Sequence, residues 1–220
     1  MAPRTTLIQL IEDIKKDVVQ MADLALANIK EGLEAFKSND QALAKAVMAK
    51  DDEVDQFEED IAKSALRIIW REQPVAGDLR LVTGILKLIT DIERIGDHAS
   101  DIAEMTRHLK NKRNKLVMPI TSRMAEIIEK MVLTSVEALV NVDVERAQSV
   151  IDMDDAVDDL FDEAVKKITS ELKYDKIEPN DAIYIMMVAK YIERVGDHAV
   201  NIAEWIIFIA TGTHKDTILF

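Results

Sequence analysis

Apolar residues recur three and four positions apart along almost the whole chain, with acids and lysines between them, the period of helices that bury one face. Leu43, Val47, Val54, Ile61 and Ile68 make one stripe; Leu88, Ile92, Ile95, Ala99 and Ile102 make another. Only 6 glycines and 4 prolines interrupt the pattern in 220 residues. Breaks fall at KSND near Asp40, REQPVAGD around Pro74, the basic RHLKNKRNKLVMP before Pro119, NVD near Asp143 and KYDKIEPND around Pro179. They predict six helices, three on each side of the basic linker. The predicted fold class is all-α.

The two halves repeat each other. DIERIGDHASDIAE, from Asp91 to Glu104, returns as YIERVGDHAVNIAE, from Tyr191 to Glu204, after 100 positions. Upstream the offset is 103, pairing Asp40 with Asp143, Val47 with Val150, Asp51 with Asp154, Val54 with Val157 and Asp55 with Asp158. The same slide lays Met21, Leu24, Ile29 and Leu33 on Met124, Ile127, Val132 and Val136, and the second copy has lost three residues at its second turn. Asp40 and Asp143 are each placed to cap the middle helix of their own copy. The expectation is two tandem, duplicated three-helix bundles, residues 1–113 and 117–220, with antiparallel neighbours because the connections are short.

Charge narrows the function classes. Against 28 basic residues stand 41 acids, a formal net charge of −13, which repels nucleic acid and suits cations or a basic protein surface. With no cysteine, any metal would meet oxygen or imidazole. Acids break up the apolar residues of the opening segment, so no signal peptide is expected and the location predicted is cytoplasmic. The longest apolar run, WIIFIA from Trp205, is far short of the roughly 20 residues that span a bilayer. Trp205, Ile206, Phe208 and Ile209 make a helix end apolar nearly all round, expected to be buried in the core or in a dimer.

Some acids sit where the helix pattern asks for apolar residues. Asp51 falls in the stripe between Val47 and Val54, and Asp55 lies one turn on. Glu93 lies at the margin of the next stripe, with Asp97 a turn further outward. Folding the chain back at Gln73 brings Asp51 and Asp55 level with Asp97 and Glu93. Folding at Lys176 does the same for Asp154, Asp158, Glu193 and Asp197. Four carboxylates on one seam repel unless protons, basic side chains or a cation offset them. Arg94 and Arg194 are turned about 100° from the adjacent Glu, so a bound cation is the simpler remedy. Acids at a helix edge are ordinarily solvated, and their recurrence at matching positions in both copies is what favours a site. Oxygen ligands suit magnesium, manganese, calcium or iron, and a nearby His would admit zinc or nickel. His98 and His198, each five residues after its Glu and so about 140° round the helix, are expected at a core edge or an interface. Gly96 and Gly196 are read as points of close helix packing. The Glu-x-x-His spacing of di-iron bundles is absent, which disfavours the alternative of a metal-dependent helical-bundle enzyme.

The paired IERIGDHASDIAE and IERVGDHAVNIAE, the upstream DDEVD and DDAVD, and QPVAGDLR before the third helix together resemble the PhoU family, accessory regulators of phosphate uptake. The resemblance implies two similar three-helix bundles, a homodimer, no enzymatic activity, and metal ions such as iron, zinc, magnesium or nickel on acid-x-x-x-Asp motifs. Here these are Asp51 with Asp55, Glu93 with Asp97, Asp154 with Asp158, and Glu193 with Asp197. It implies cytoplasmic partners, the phosphate ABC transporter ATPase and the phosphate-sensing histidine kinase, with starvation genes held off when phosphate is plentiful. Contact with the membrane would run only through those partners. The copies also depart from each other: Asp101 is matched by Asn201 and Glu58 by Phe161, so metal occupancy is expected to differ between the seams. Arg80 has no counterpart in the second copy, and a surface role for Asp78 and Arg80 is an open expectation.

Overall fold

The structure is a computed structural model that describes residues 3–110, 117–215 and 217–218. Long amphipathic stretches become long helices: α1 (Pro3–Ser38), α2 (Gln41–Met48), α3 (Asp51–Glu72), α4 (Ala76–His108), α5 (Met118–Asn141), α6 (Val144–Lys173) and α7 (Pro179–Thr211). A short antiparallel ribbon, β1 (Thr213–His214) with β2 (Thr217–Ile218), follows α7, which the helical pattern did not predict. The breaks fall where the sequence places them. The basic stretch 111–116, the expected boundary at 113 and residue 220 lie outside the described residues.

The repeat reaches into turn geometry. α1 and α5 each end on a left-handed residue, Asn39 at φ 52° and Val142 at φ 51°. The next residue, Asp40 or Asp143, donates its N–H to the carbonyl of Ala35 or Ala138, both at 2.9 Å. The Asp40 carboxylate then accepts from the N–H groups of Ala42 and Leu43, and that of Asp143 from Arg146. One difference separates the copies: the predicted middle helix is continuous in the second, as α6, and split into α2 and α3 in the first. Lys50 leaves helical geometry at φ −98°, ψ 1° and its ammonium is drawn to Glu31, 2.6 Å away. The chain restarts as α3 on Asp51, Asp52 and Glu53, acids that the positive end of the helix dipole favours.

α1, α4, α7 and α5 form a closed ring of neighbours, with α2 and α3 outside α1 and α4, and α6 outside α5 and α7. The most extensive packing is α4 on α7. Ile85, Leu88, Ile92 and Ile95 of α4 are buried with Ile185, Val188, Ile192 and Val195 of α7 in one continuous core. Polar ties cross the same boundary between copies: Arg80 Nε donates to the Ile209 carbonyl at 3.3 Å and Lys15 Nζ to that of Val140 at 3.2 Å. Arg80 thus ties α4 to the C-terminal end of α7. Within this single chain, Ile206, Phe208 and Ile209 are buried, and the β1 residue His214 stacks on Trp205 at 3.9 Å. No helix among the described residues is long and apolar enough to cross a membrane.

Gly84 sets the approach of α4 to α7, because a Cβ there would lie 2.4 Å from Ile209 Cγ1. A mid-helix glycine gives up roughly 1 kcal/mol of helix propensity, whereas overpacking a filled core costs about 1–3 kcal/mol. Gly84→Val should therefore lower the thermal midpoint, by roughly 2–4 °C per kcal/mol lost. An unchanged or raised midpoint by circular dichroism would show that the α4–α7 contact tolerates a side chain there.

Candidate metal centre

The first seam lies between α3 and α4. Restarting α3 at Asp51 sets Asp55 one turn in, and α4 returns antiparallel past it with Glu93 and Asp97. One carboxylate oxygen from each of Asp55, Glu93 and Asp97 falls within 4.8 Å of the other two. Asp51 is close by but is held by the Ser100 hydroxyl, which donates to Oδ1 at 2.7 Å. Glu93 is the most enclosed of the three, its side chain 14% exposed. Its Oε2 is buried without a hydrogen-bond donor; Arg94 Nε lies 3.3 Å away, within ion-pair distance but out of line for a hydrogen bond. Burial, then the Asp97 charge, pushes the Glu93 carboxyl up to about 7, although Arg94 opposes the shift. Burial, then Asp97 and Asp51, also raises Asp55.

One expectation needs correction. Arg94 does not point away from the acids: its guanidinium folds back one turn to donate to Asp97 Oδ2 at 2.5 Å. A long, flexible side chain on the rim overrides the angular position of its Cα. Its own side chain is 54% exposed, so the pair is accessible to solvent and weakly held.

The second seam, between α6 and α7, is built alike and occupied differently. Burial, then the charges of Asp158, Asp197 and Glu193, pushes Asp154 up to about 6. Asp158 is raised by burial and by Asp197, with Lys190 opposing. A Cβ at Gly196 would come within 3.2 Å of Asp154 Oδ1, so this glycine leaves room for a carboxylate. Its counterpart Gly96 packs on Val54, which a Cβ would meet at 3.1 Å, the close helix approach expected for both. Glu193 is paired through Oε1 with Lys190, and its Oε2 is buried without a partner. The structure thus gathers all eight candidate acids along two seams, but a compact three-oxygen group forms, among the described residues, only from Asp55, Glu93 and Asp97. Three carboxylates around an unpartnered buried oxygen fit a hard cation.

The repeated histidines belong elsewhere. His98 and His198 meet at the α4–α7 crossing, ring centroids 5.5 Å apart. His98 Nδ1 lies 2.9 Å from Asp101, and the ring stacks on Tyr191. His198 Nδ1 lies 2.9 Å from Asp91 of the other copy, which also accepts from Asn201 at 3.0 Å. The histidines of the GDHA motif therefore serve the interface between copies, and the role of Asp91 was missed because its partners come from 107 and 110 residues away. No local signal marked it: Asp91 is replaced by Tyr191 in the other copy, but so are many residues that make no contact between copies.

Residues 18–106 and 121–206 each match the PhoU domain. The chain belongs to the PhoU family. It is 30% identical over 207 residues to the phosphate-specific transport system accessory protein PhoU homolog of Clostridium acetobutylicum, covering 94% of both chains. Against the PhoU homolog of Aquifex aeolicus the identity is 34% over 184 residues, with 84% of this chain and 83% of the relative covered. The crystal structure of PhoU from Pseudomonas aeruginosa superposes with a TM-score of 0.86 at 30% identity, over 93% of this chain and 99% of that one. The phosphate transport system regulatory protein PhoU from Streptococcus pneumoniae, 24% identical, shares the fold with a TM-score of 0.88. In this PhoU chain each domain match contains one complete acid seam.

The first seam makes a pH-dependent prediction. The folded Glu93 carboxyl, at about 7, binds its proton more tightly than an unstructured glutamate at 4.5. Its cost to stability is therefore absent at low pH, grows as the pH rises from about 4.5 to about 7 and is complete above that. In metal-free buffer at pH 8, Glu93→Gln should stabilise the protein by roughly 1–2 kcal/mol, after discounting for solvent at the seam. The gain should shrink toward zero by about pH 4.5. A gain of equal size at both pH values, in parallel thermal melts, would mean that Glu93 is not held under this strain.

Proposed function

We propose that this protein is a cytoplasmic accessory regulator of phosphate uptake, an adaptor between the ATPase of a phosphate-specific ABC transporter and a phosphate-sensing histidine kinase. It keeps phosphate-starvation genes off when phosphate is plentiful and works as a homodimer, without turning over a substrate. The observation that carries this reading is the family relationship, which spans both copies and nearly the full length of a relative named as a transport-system accessory protein. A helical body with a formal net charge of −13 suits a protein that presents faces to partners.

The proposal includes metal ions on the acid seams, iron, zinc, magnesium or nickel. At the first seam Asp55, Glu93 and Asp97 would hold the ion, and at the second Asp154, Asp158, Glu193 and Asp197. Asp51 would join the first set on leaving Ser100. A cation there supplies charge that cancels the repulsion between neighbouring carboxylates and ties α3 to α4. In the first seam it would also compete with Arg94 for Asp97, so that occupancy changes which charges the surface presents.

The test is a phosphate-starvation reporter read in phosphate-rich medium. Cells lacking the protein should express it constitutively, and resupply of the wild-type chain should silence it. Unchanged output on deletion would contradict the regulatory reading. A folded Glu93→Gln, Asp97→Asn variant should fail to silence the reporter, whereas full silencing would separate regulation from the first seam.

A further inference from the structure

The two seams differ at one corner through a coordinated exchange. In the first copy Thr90 Oγ1 donates to Glu58 Oε1 at 2.9 Å, placing a fifth acid beside the seam, one whose charge reaches Glu93. The positions that correspond to them in the second copy are Lys190 and Phe161. Lys190 Nζ lies over the Phe161 ring, 5.4 Å from its centre, and pairs with Glu193 Oε1. An acid and a hydroxyl have been replaced by an ammonium and an aromatic face that seats it.

The consequences for the carboxylates are local. Asp158 is raised by burial and by Asp197, and Lys190 offsets part of that rise. Glu193 is 91% buried, since only 9% of its surface is exposed; its Oε2 is buried without a hydrogen-bond partner while Oε1 is taken by Lys190, and its charge reaches Asp154 across the seam. The first seam has a paired cation too, but Arg94 reaches in from the rim with 54% of its side chain exposed. Lys190 is less exposed, at 37%, and is held by an aromatic ring on α6 and a buried carboxylate on α7. Both cations give up carboxylate contacts when displaced, but Arg94 already lies largely in water, whereas Lys190 must also leave the Phe161 ring.

We infer that Lys190 is a tethered competitor for the cation position of the second seam, which makes the two seams unequal: the first takes a divalent cation readily, the second only after expelling its own ammonium. This rests on the proposal that the seams bind cations. It goes further by naming the residues, Lys190 with Phe161 against Thr90 with Glu58, that set the difference.

Titrating the metal-free full-length chain with Mn2+ by isothermal calorimetry, with free Mn2+ followed by electron paramagnetic resonance, separates the two claims. The wild type should show one tight and one weaker class of site. Lys190→Met keeps the bulk over Phe161 and removes the charge, so it should tighten the weaker class by roughly tenfold or more and leave the tight class unchanged. Lys190→Arg keeps the charge and should leave the weaker class weak. In the Glu93→Gln, Asp97→Asn background the tight class should vanish while the Lys190→Met gain persists, and Asp158→Asn should abolish that gain. Equal affinities in the wild type, or a weaker class that Lys190→Met moves by less than about twofold, would overturn the inference while leaving cation binding intact. No Mn2+ bound by any variant would overturn both.

Discussion

Burying a carboxylate beside other carboxylates is the constraint around which the rest of this molecule is arranged. Glu93 is enclosed between α3 and α4, with Asp97 and Asp55 at close range and one oxygen lacking a hydrogen-bond donor. In an apolar setting such a group protonates or finds a counter-charge. The chain does some of each: the Glu93 carboxyl is held up near neutrality, and Arg94 leans over Asp97. Neither partner is permanent, because the proton leaves as the pH rises and the arginine is mostly in water. The proposed binding of a hard cation here rests on its being able to displace both.

What holds the seams in position is the packing between the copies. α4 and α7 each carry one wall of a seam on one side and the crossing between copies on the other. The motif Glu-Arg-x-Gly-Asp-His divides its labour accordingly: Glu93, Asp97, Glu193 and Asp197 face the seams, while His98 and His198 meet across the crossing. The histidines are bonded to Asp101 and Asp91, and Gly84 lets Ile209 come close.

Much of this was legible in the chain. The helices, their breaks, the duplication and both caps follow from periodicity, turn residues and two offsets. The acid seams followed from placing residues at equal distances from a turn, because antiparallel helices joined by short connections have little freedom in register. What escaped the reading depends on side-chain reach and on contacts between copies. The break between α2 and α3 falls at Lys50, which also pairs with Glu31, and no helical period marks it. Arg94 folds back through a flexible side chain, Ser100 takes Asp51 from the opposite helix, and Asp91 finds partners in the other half of the chain. The ribbon after α7 depends on covering Trp205 with His214, a tertiary contact with no local pattern behind it.

The most direct test of the central claim, that the first seam is a cation site held ready by unfavourable burial, is an anomalous difference map from crystals of the metal-free protein soaked in Mn2+. The account predicts a peak bounded by Asp55, Glu93 and Asp97, with the Arg94 guanidinium withdrawn from Asp97. No peak at saturating Mn2+, with Arg94 still seated on Asp97, would mean that the protein satisfies this seam with its own charges and protons alone.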